Sequence, residues 1–284
     1  MVTDEQRSRW DRDGYLVLRG FFTPEAIDQL NAYTDELFRD PPDWLVVDNT
    51  LDGRRGHLSD FSAEERAGGH LRLNALFRHR PDVRAVAFDP RVRAILRDLL
   101  GEPAVLFNSL TFAKGSQQGP HSDALYLTPR TPGHLVATWV ALEDAHPDAG
   151  QLFYYPGSHT IPRYTFRNGS HHFLPDEMGD WAEYSLNQLV TAGLERETFD
   201  AKKGDLFIWA SDLIHGGSPI ADASRTRRSM VCHYYSLSDC KALGFVCVPE
   251  GDDGFWQGRP RRVRPATAPP NAAPPLTPAR GLRP

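Results

Sequence analysis

The stretches AVLFNSLTFAK (104–114), HLVATWVALED (134–144), GQLFYYPGS (150–158), GDLFIWA (204–210) and RSMVCHYYSL (228–237) decide the fold class. Each is a short apolar or alternating run rich in β-branched and aromatic residues, bounded by Gly, Pro, Asn or Asp, the pattern of a strand. Most of them follow one another with no helical period between. Strands at such spacing argue for an antiparallel barrel or a double-sheet jelly roll.

Upstream the pattern differs. GYLVLRGFF (14–22) reads as a short buried strand. Thr23 and Pro24 then supply an N-cap and a proline at the first helical position. Ile27, Leu30, Tyr33 and Leu37 recur at helical spacing. Residues 40–69 are polar and loosely patterned, and a second helix is expected from Asp89 to Leu100, ending at Gly101. The stretch 160–203 lacks strong periodicity and lies between two strand signals. It is expected to be an insertion that acts as a lid, since loops of this length are seldom idle. Residues 259–284 hold eight of the 23 prolines, six arginines and no acid. Such a segment cannot bury enough apolar surface to fold alone, so a flexible tail is expected after one enzyme domain spanning 1–258.

Composition sets outer limits. A net charge of −5 suggests no nucleic-acid partner, and no run approaches the roughly 18 apolar residues of a membrane span. The opening MVTDEQRSRWDRDG has no signal-peptide core. Cys232, Cys240 and Cys247 lack the spacing of a zinc or redox site and read as idle thiols of a reducing, cytoplasmic compartment. A monomer or homodimer acting on a small molecule is expected.

The chemistry starts at His121 and Asp123 in GPHSDALYL (119–127). Two residues apart on a strand, they would face the same way and could offer a nitrogen and a carboxylate oxygen to one ion. His215, 92 positions after Asp123 in GDLFIWASDLIHGGSP (204–219), is the candidate third ligand. Two histidines and a carboxylate on one face suit an iron(II) oxygenase, though a zinc hydrolase could use the same trio. Arg227, at the start of the last strand, could grip a dicarboxylate with its guanidinium fork. If Arg227 points inward, its neighbour Arg228 points out.

These residues carry a family resemblance over roughly residues 10–245. DGYLVLRGFFTPEAIDQL (13–30), PHSDALYL (120–127), TWVALEDAHPDAGQLFYYPGSH (138–159), GDLFIWASDLIHGG (204–217) and SRTRRSM (224–230) occur in the order found in the phytanoyl-CoA dioxygenase family of iron(II)/2-oxoglutarate oxygenases. The resemblance implies a double-stranded β-helix core, jelly-roll and cupin-like, flanked by N-terminal helices. It implies Fe(II), 2-oxoglutarate and O2, with succinate and CO2 as coproducts and hydroxylation as the expected outcome. His121, Asp123 and His215 would be the iron ligands and Arg227 the grip on the far carboxylate of 2-oxoglutarate, with further contacts from Trp139 and Leu110. A family serine two residues after the distal histidine is replaced by Gly217. An extra glycine in the turn would hand its role to Ser218. The family's upstream lysine is missing, with Leu71 near its place and Arg72 beside it.

Rival readings are halogenation, which the presence of Asp123 opposes, a cupin-like metal enzyme without 2-oxoglutarate, and a silent binding protein on the same fold. His159 reads as a turn residue, and Tyr126 could share a cosubstrate hydrogen bond or simply pack. The presumed lid carries Arg163, Arg167, His171 and His172 with Tyr164 and Trp181, which would suit a polar or anionic molecule with a hydrophobic portion.

Overall fold

A computed structural model describes residues 1–250 and 254–257; the expected tail at 259–284 lies outside the described residues. The chain opens with α1 (Asp4–Asp13), β1 (Tyr15–Leu18) and α2 (Pro24–Arg39). The Thr23 hydroxyl accepts from the Ala26 amide at the start of α2, and Ile27, Leu30, Tyr33 and Leu37 form its buried stripe. The polar stretch after α2 is more ordered than its composition suggests. It holds β2 (Val46–Asn49), β3 (Arg55–His57) and α3 (Ala63–Ala67), which lead into β4 (Leu71–Asn74). Strands of three or four residues are too short to show alternation, and their pairing partners supply the order instead.

Two helices follow, α4 (Pro81–Ala87) and α5 (Pro90–Leu100). Gly101 closes α5 at φ 74°, a left-handed conformation that favours glycine. The core strands are β5 (Ala104–Phe112), β6 (Leu135–Ala141) and β7 (Leu152–Tyr154). The stretch 160–203 contains α6 (Met178–Thr191) and the two-residue β8 (Glu197–Thr198). The chain returns through β9 (Leu206–Ala210), β10 (His215–Gly217), β11 (Ser229–Ser236), α7 (Leu237–Ala242), β12 (Cys247–Glu250) and β13 (Gly254–Gln257).

The large sheet runs β1-β9-β6-β11-β5-β4-β2-β3, with β13 parallel to β5 and β12 paired to β13. A small sheet, β10-β7-β8, belongs to the opposing layer. All residues of β6 and β11 are buried because both faces of the large sheet are covered. On one face Val136, Val140, Met230, Cys232 and Tyr234 join the helical residues Ile27, Leu30, Val92 and Leu96. On the other, Ala137, Trp139, Ala141, Phe207, Trp209 and Val231 meet Leu152 and Tyr154 of the small sheet. This is the double-stranded β-helix core with flanking helices.

A bulge in β5 aims the inner face. Asn108 pairs with His233 but Leu106 with Tyr234, so Phe107 is the extra residue. Leu106 therefore faces the helices while Leu110 and Phe112, three and five residues past the bulge, face the small sheet.

Candidate metal centre and cosubstrate pocket

His121, Asp123 and His215 come together, each offering a ligand atom within 4.8 Å of the others, and all three are buried. His121 and Asp123 do not share a strand face. His121 forms an isolated antiparallel bridge with His215, each amide donating to the other's carbonyl at 2.9 Å. Asp123 then begins a short 3-10 turn, Asp123–Leu125, whose curvature brings its carboxylate back towards the histidines. Nδ1 of His121 faces the Gly119 carbonyl at 2.9 Å, and Nδ1 of His215 faces the Leu213 carbonyl at 3.0 Å. With Nδ1–H donated to a carbonyl, Nε2 of each ring is left as an acceptor for a cation.

Burial, helped by the neighbouring His215, pushes the His121 pKa down to about 3, so the ring is neutral and available. For Asp123, burial works to raise the pKa. His233, His215 and His121 outweigh it and hold the carboxyl below the usual carboxylate range. Its Oδ2 accepts from Nε1–H of Trp209 at 2.8 Å. Its Oδ1 lies 3.8 Å from Nε2 of His215 and 3.4 Å from Nε2 of His233.

The triad opens into a cavity of about 610 Å³ whose lining includes Arg227. Arg227 is 3% exposed, and Nη1 donates to Ser229 Oγ at 3.1 Å. Its Nε has no hydrogen-bond partner, and no carboxylate lies in ion-pair range of it among the described residues. Burial pulls its pKa down to about 10, so it stays charged. Arg225 and Arg228 turn instead to Asp222 and Asp35 at the surface. An imidazole pair with one carboxylate, lining the same cavity as a buried cation without a counter-ion, is chemistry for a divalent metal and an added anion together.

The sequence pattern of the phytanoyl-CoA dioxygenase (PhyH) family matches residues 10–229. The chain belongs to the phytanoyl-CoA dioxygenase family. It is accordingly a non-haem iron, 2-oxoglutarate-dependent dioxygenase, an oxidoreductase. It is 26% identical over 287 residues to phytanoyl-CoA dioxygenase domain-containing protein 1 of Danio rerio, covering 88% of this chain and 94% of that protein. EctD from S. alaskensis with bound Fe shares the fold at a TM-score of 0.62 and 21% identity, over 84% of this chain and 78% of that one. The alpha ketoglutarate dependent carbocyclase SnoK from nogalamycin biosynthesis does so at 0.60 and 16%, over 82% and 84%.

This dioxygenase departs from the family pattern at the arginine's hydroxyl partner. Ser218 is not brought to Arg227; its Oγ accepts from Arg196 at 2.7 Å, outside the cavity. Ser229, two residues on along the strand edge, makes the contact. A side chain at Gly217 would collide with the neighbouring loop, its Cβ coming within 2.6 Å of Ser116 Oγ. Ser116 itself lines the cavity. Trp139 and Leu110 also line it, the former beneath the Arg227 guanidinium. In place of the upstream lysine, Leu71 sits in the helix-side core while Arg72 lines the cavity. The Arg72 guanidinium is engaged by Asp48, Nη2 to Oδ2 at 2.6 Å.

The charged residues of the 160–203 segment do not line the cavity. Arg163 makes a two-pronged pair with Asp212, and Arg167 pairs with Asp176 and Glu177. His171 contacts the Tyr164 carbonyl and His172 the Thr128 hydroxyl. Phe173, Pro175, Met178, Gly179, Trp181 and Ala182 are what this segment offers to the wall. His159 packs on Gly14, away from the metal residues.

Sequence reasoning passed over Trp209 and His233. Both were in reach of a period-two count: His233 follows Arg227, Ser229 and Val231 in parity, and Trp209 follows Phe207. Among the described residues no helix is long and apolar enough to cross a membrane.

Proposed function

We propose that this chain holds iron(II) on His121, Asp123 and His215, binds 2-oxoglutarate against Leu110, Trp139 and Arg227, and hydroxylates a small organic substrate, releasing succinate and CO2. The observation that carries the reading is Arg227: a buried guanidinium with no carboxylate partner, lining the same cavity as the triad. A buried charge without a partner is costly, and a dicarboxylate spanning the cavity would relieve that cost. The triad fits iron because two imidazoles and one carboxylate leave open positions.

Bound iron would supply O2 activation coupled to oxidative decarboxylation of the cosubstrate. The chain's own part is to hold and to shield. Arg227, oriented by Ser229, fixes the distal carboxylate, Trp139 supports the guanidinium, and Phe173, Met178 and Trp181 wall off water. Residues 160–203 act as the lid on this view. The cavity's outer wall is largely uncharged, which favours a substrate whose reacting portion is apolar. Three free thiols, two of them buried, favour a reducing, cytoplasmic setting.

The test is an anaerobic titration with iron(II) followed by 2-oxoglutarate, watching the metal-dependent absorbance band, and then succinate formation on admitting air. Incorporation of label from 18O2 into a turned-over substrate would identify hydroxylation. Wild-type protein that binds iron but never 2-oxoglutarate would favour a cupin-like metal enzyme instead.

A further inference from the structure

The two oxygens of Asp123 have different surroundings. Oδ1 lies among the prospective metal donors, 3.8 Å from Nε2 of His215. Oδ2 is held by Nε1–H of Trp209 at 2.8 Å in a fully buried hydrogen bond. A carboxylate can hold a cation with one oxygen or with both. The difference matters here. Two histidines and one oxygen leave three of six octahedral positions, enough for a chelating cosubstrate and O2. A second carboxylate oxygen would take one of those three.

The indole is suited to prevent this. It is a donor only, so it cannot itself serve a metal. It is also fixed: Trp209 is 2% exposed, its backbone is paired between Tyr15 and Ala137, and its ring lies 4.7 Å from that of His215 and 5.7 Å from that of Phe207. Swinging Oδ2 towards a metal would leave a buried N–H without a partner. We propose that Trp209 is a positioning residue that holds Asp123 to one-oxygen binding and so keeps a coordination position free for the cosubstrate. This rests on the iron and 2-oxoglutarate reading above.

The experiment uses full-length Trp209→Phe and wild type, both loaded with Co(II), whose ligand-field absorption reports the coordination sphere. Expected in the variant are retained Co(II) uptake, an altered ligand-field band, and 2-oxoglutarate affinity clearly lower than in wild type. An unchanged band overturns the inference, whether 2-oxoglutarate affinity falls or not, as does a joint fall in melting temperature and Co(II) affinity without spectral change. If Trp209→Phe does not fold, wild type answers the same question. Of the six indole N–H signals, the one that Co(II) perturbs most should stay hydrogen-bonded and slow to exchange after Zn(II) loading; its release overturns the inference. Wild type that takes up no metal would instead sink the functional reading itself.

Discussion

The guanidinium carbon of Arg227 lies 5.4 Å from the ring centroid of Trp139, and both side chains are almost wholly withdrawn from water. The pair comes from adjacent strands: β11 and β6 are in register with Val231 opposite Trp139, and Arg227 precedes that strand by two residues. An aromatic face can steady a desolvated cation but cannot neutralise it. The arginine therefore remains short of one anionic partner.

Arg227→Met should retain iron and lose 2-oxoglutarate. Removing one member of a buried charge pair costs on the order of 2–5 kcal/mol, roughly 30- to several-thousand-fold in affinity. Arg227→Lys should recover only part, because a point charge lacks the two-pronged fork. Arg225→Met and Arg228→Met should change little, since their partners Asp222 and Asp35 are at the surface. Anaerobic titration of the absorbance band separates these outcomes, and normal binding by Arg227→Met would remove the residue from the site.

Asp123→Ala takes away the one anionic ligand and should weaken iron binding most steeply, with His121→Ala and His215→Ala in the same direction. Equilibrium titration with iron(II) under anaerobic conditions is the check. Unchanged affinity in all three variants would show that the cluster is not the metal site.

His233→Phe should lower iron affinity by roughly 10- to 100-fold, as loss of a group supporting a ligand commonly does. The reason is its position, buried and with Nε2 3.4 Å from Asp123 Oδ1. His233→Gln, which keeps an N–H donor, should recover part of the loss. Equal affinity in wild type and His233→Phe would reduce this histidine to a packing residue.

Asp48→Ala should destabilise the fold by about 3–5 kcal/mol, because it strands the buried Arg72 guanidinium. Arg72 and Arg55 both pair with this carboxylate, and Asn74 donates to it at 3.0 Å. The double variant Asp48→Leu/Arg72→Leu should be much less destabilised than Asp48→Ala, since no unpaired charge is left. Chemical denaturation of wild type and the two variants decides it; a double variant no more stable than Asp48→Ala would mean that the pair is not coupled.

Local signals were legible in the sequence because their free energies are local. Thr23 and Pro24 start a helix through one hydroxyl and one fixed φ, and Gly101 stops another through its left-handed φ. The strand runs from Ala104 onward carried the mainly β architecture, and the order of motifs carried the family. His121, Asp123, His215 and Arg227 could be nominated because their residue types and spacing are chemically selective. Their parity even separated Arg227 from Arg228.

Tertiary structure decided what depends on meetings between distant segments. Asp123 reaches the histidines from a 3-10 turn rather than a strand, and Trp209, 86 residues away, holds its second oxygen. Ser229 rather than Ser218 serves the arginine, because Arg196 claims Ser218 and the loop at Ser116 leaves no room beside Gly217. Arg72 reaches the cavity while Leu71 does not, and Asp48 neutralises it. Arg163 and Arg167 spend their charge on Asp212, Asp176 and Glu177. A side chain's identity states what it can bind. Which partner it meets is set by strand register, by one bulge at Phe107 and by the competition of neighbours for the same hydrogen bonds, and none of these is written in a local run of residues.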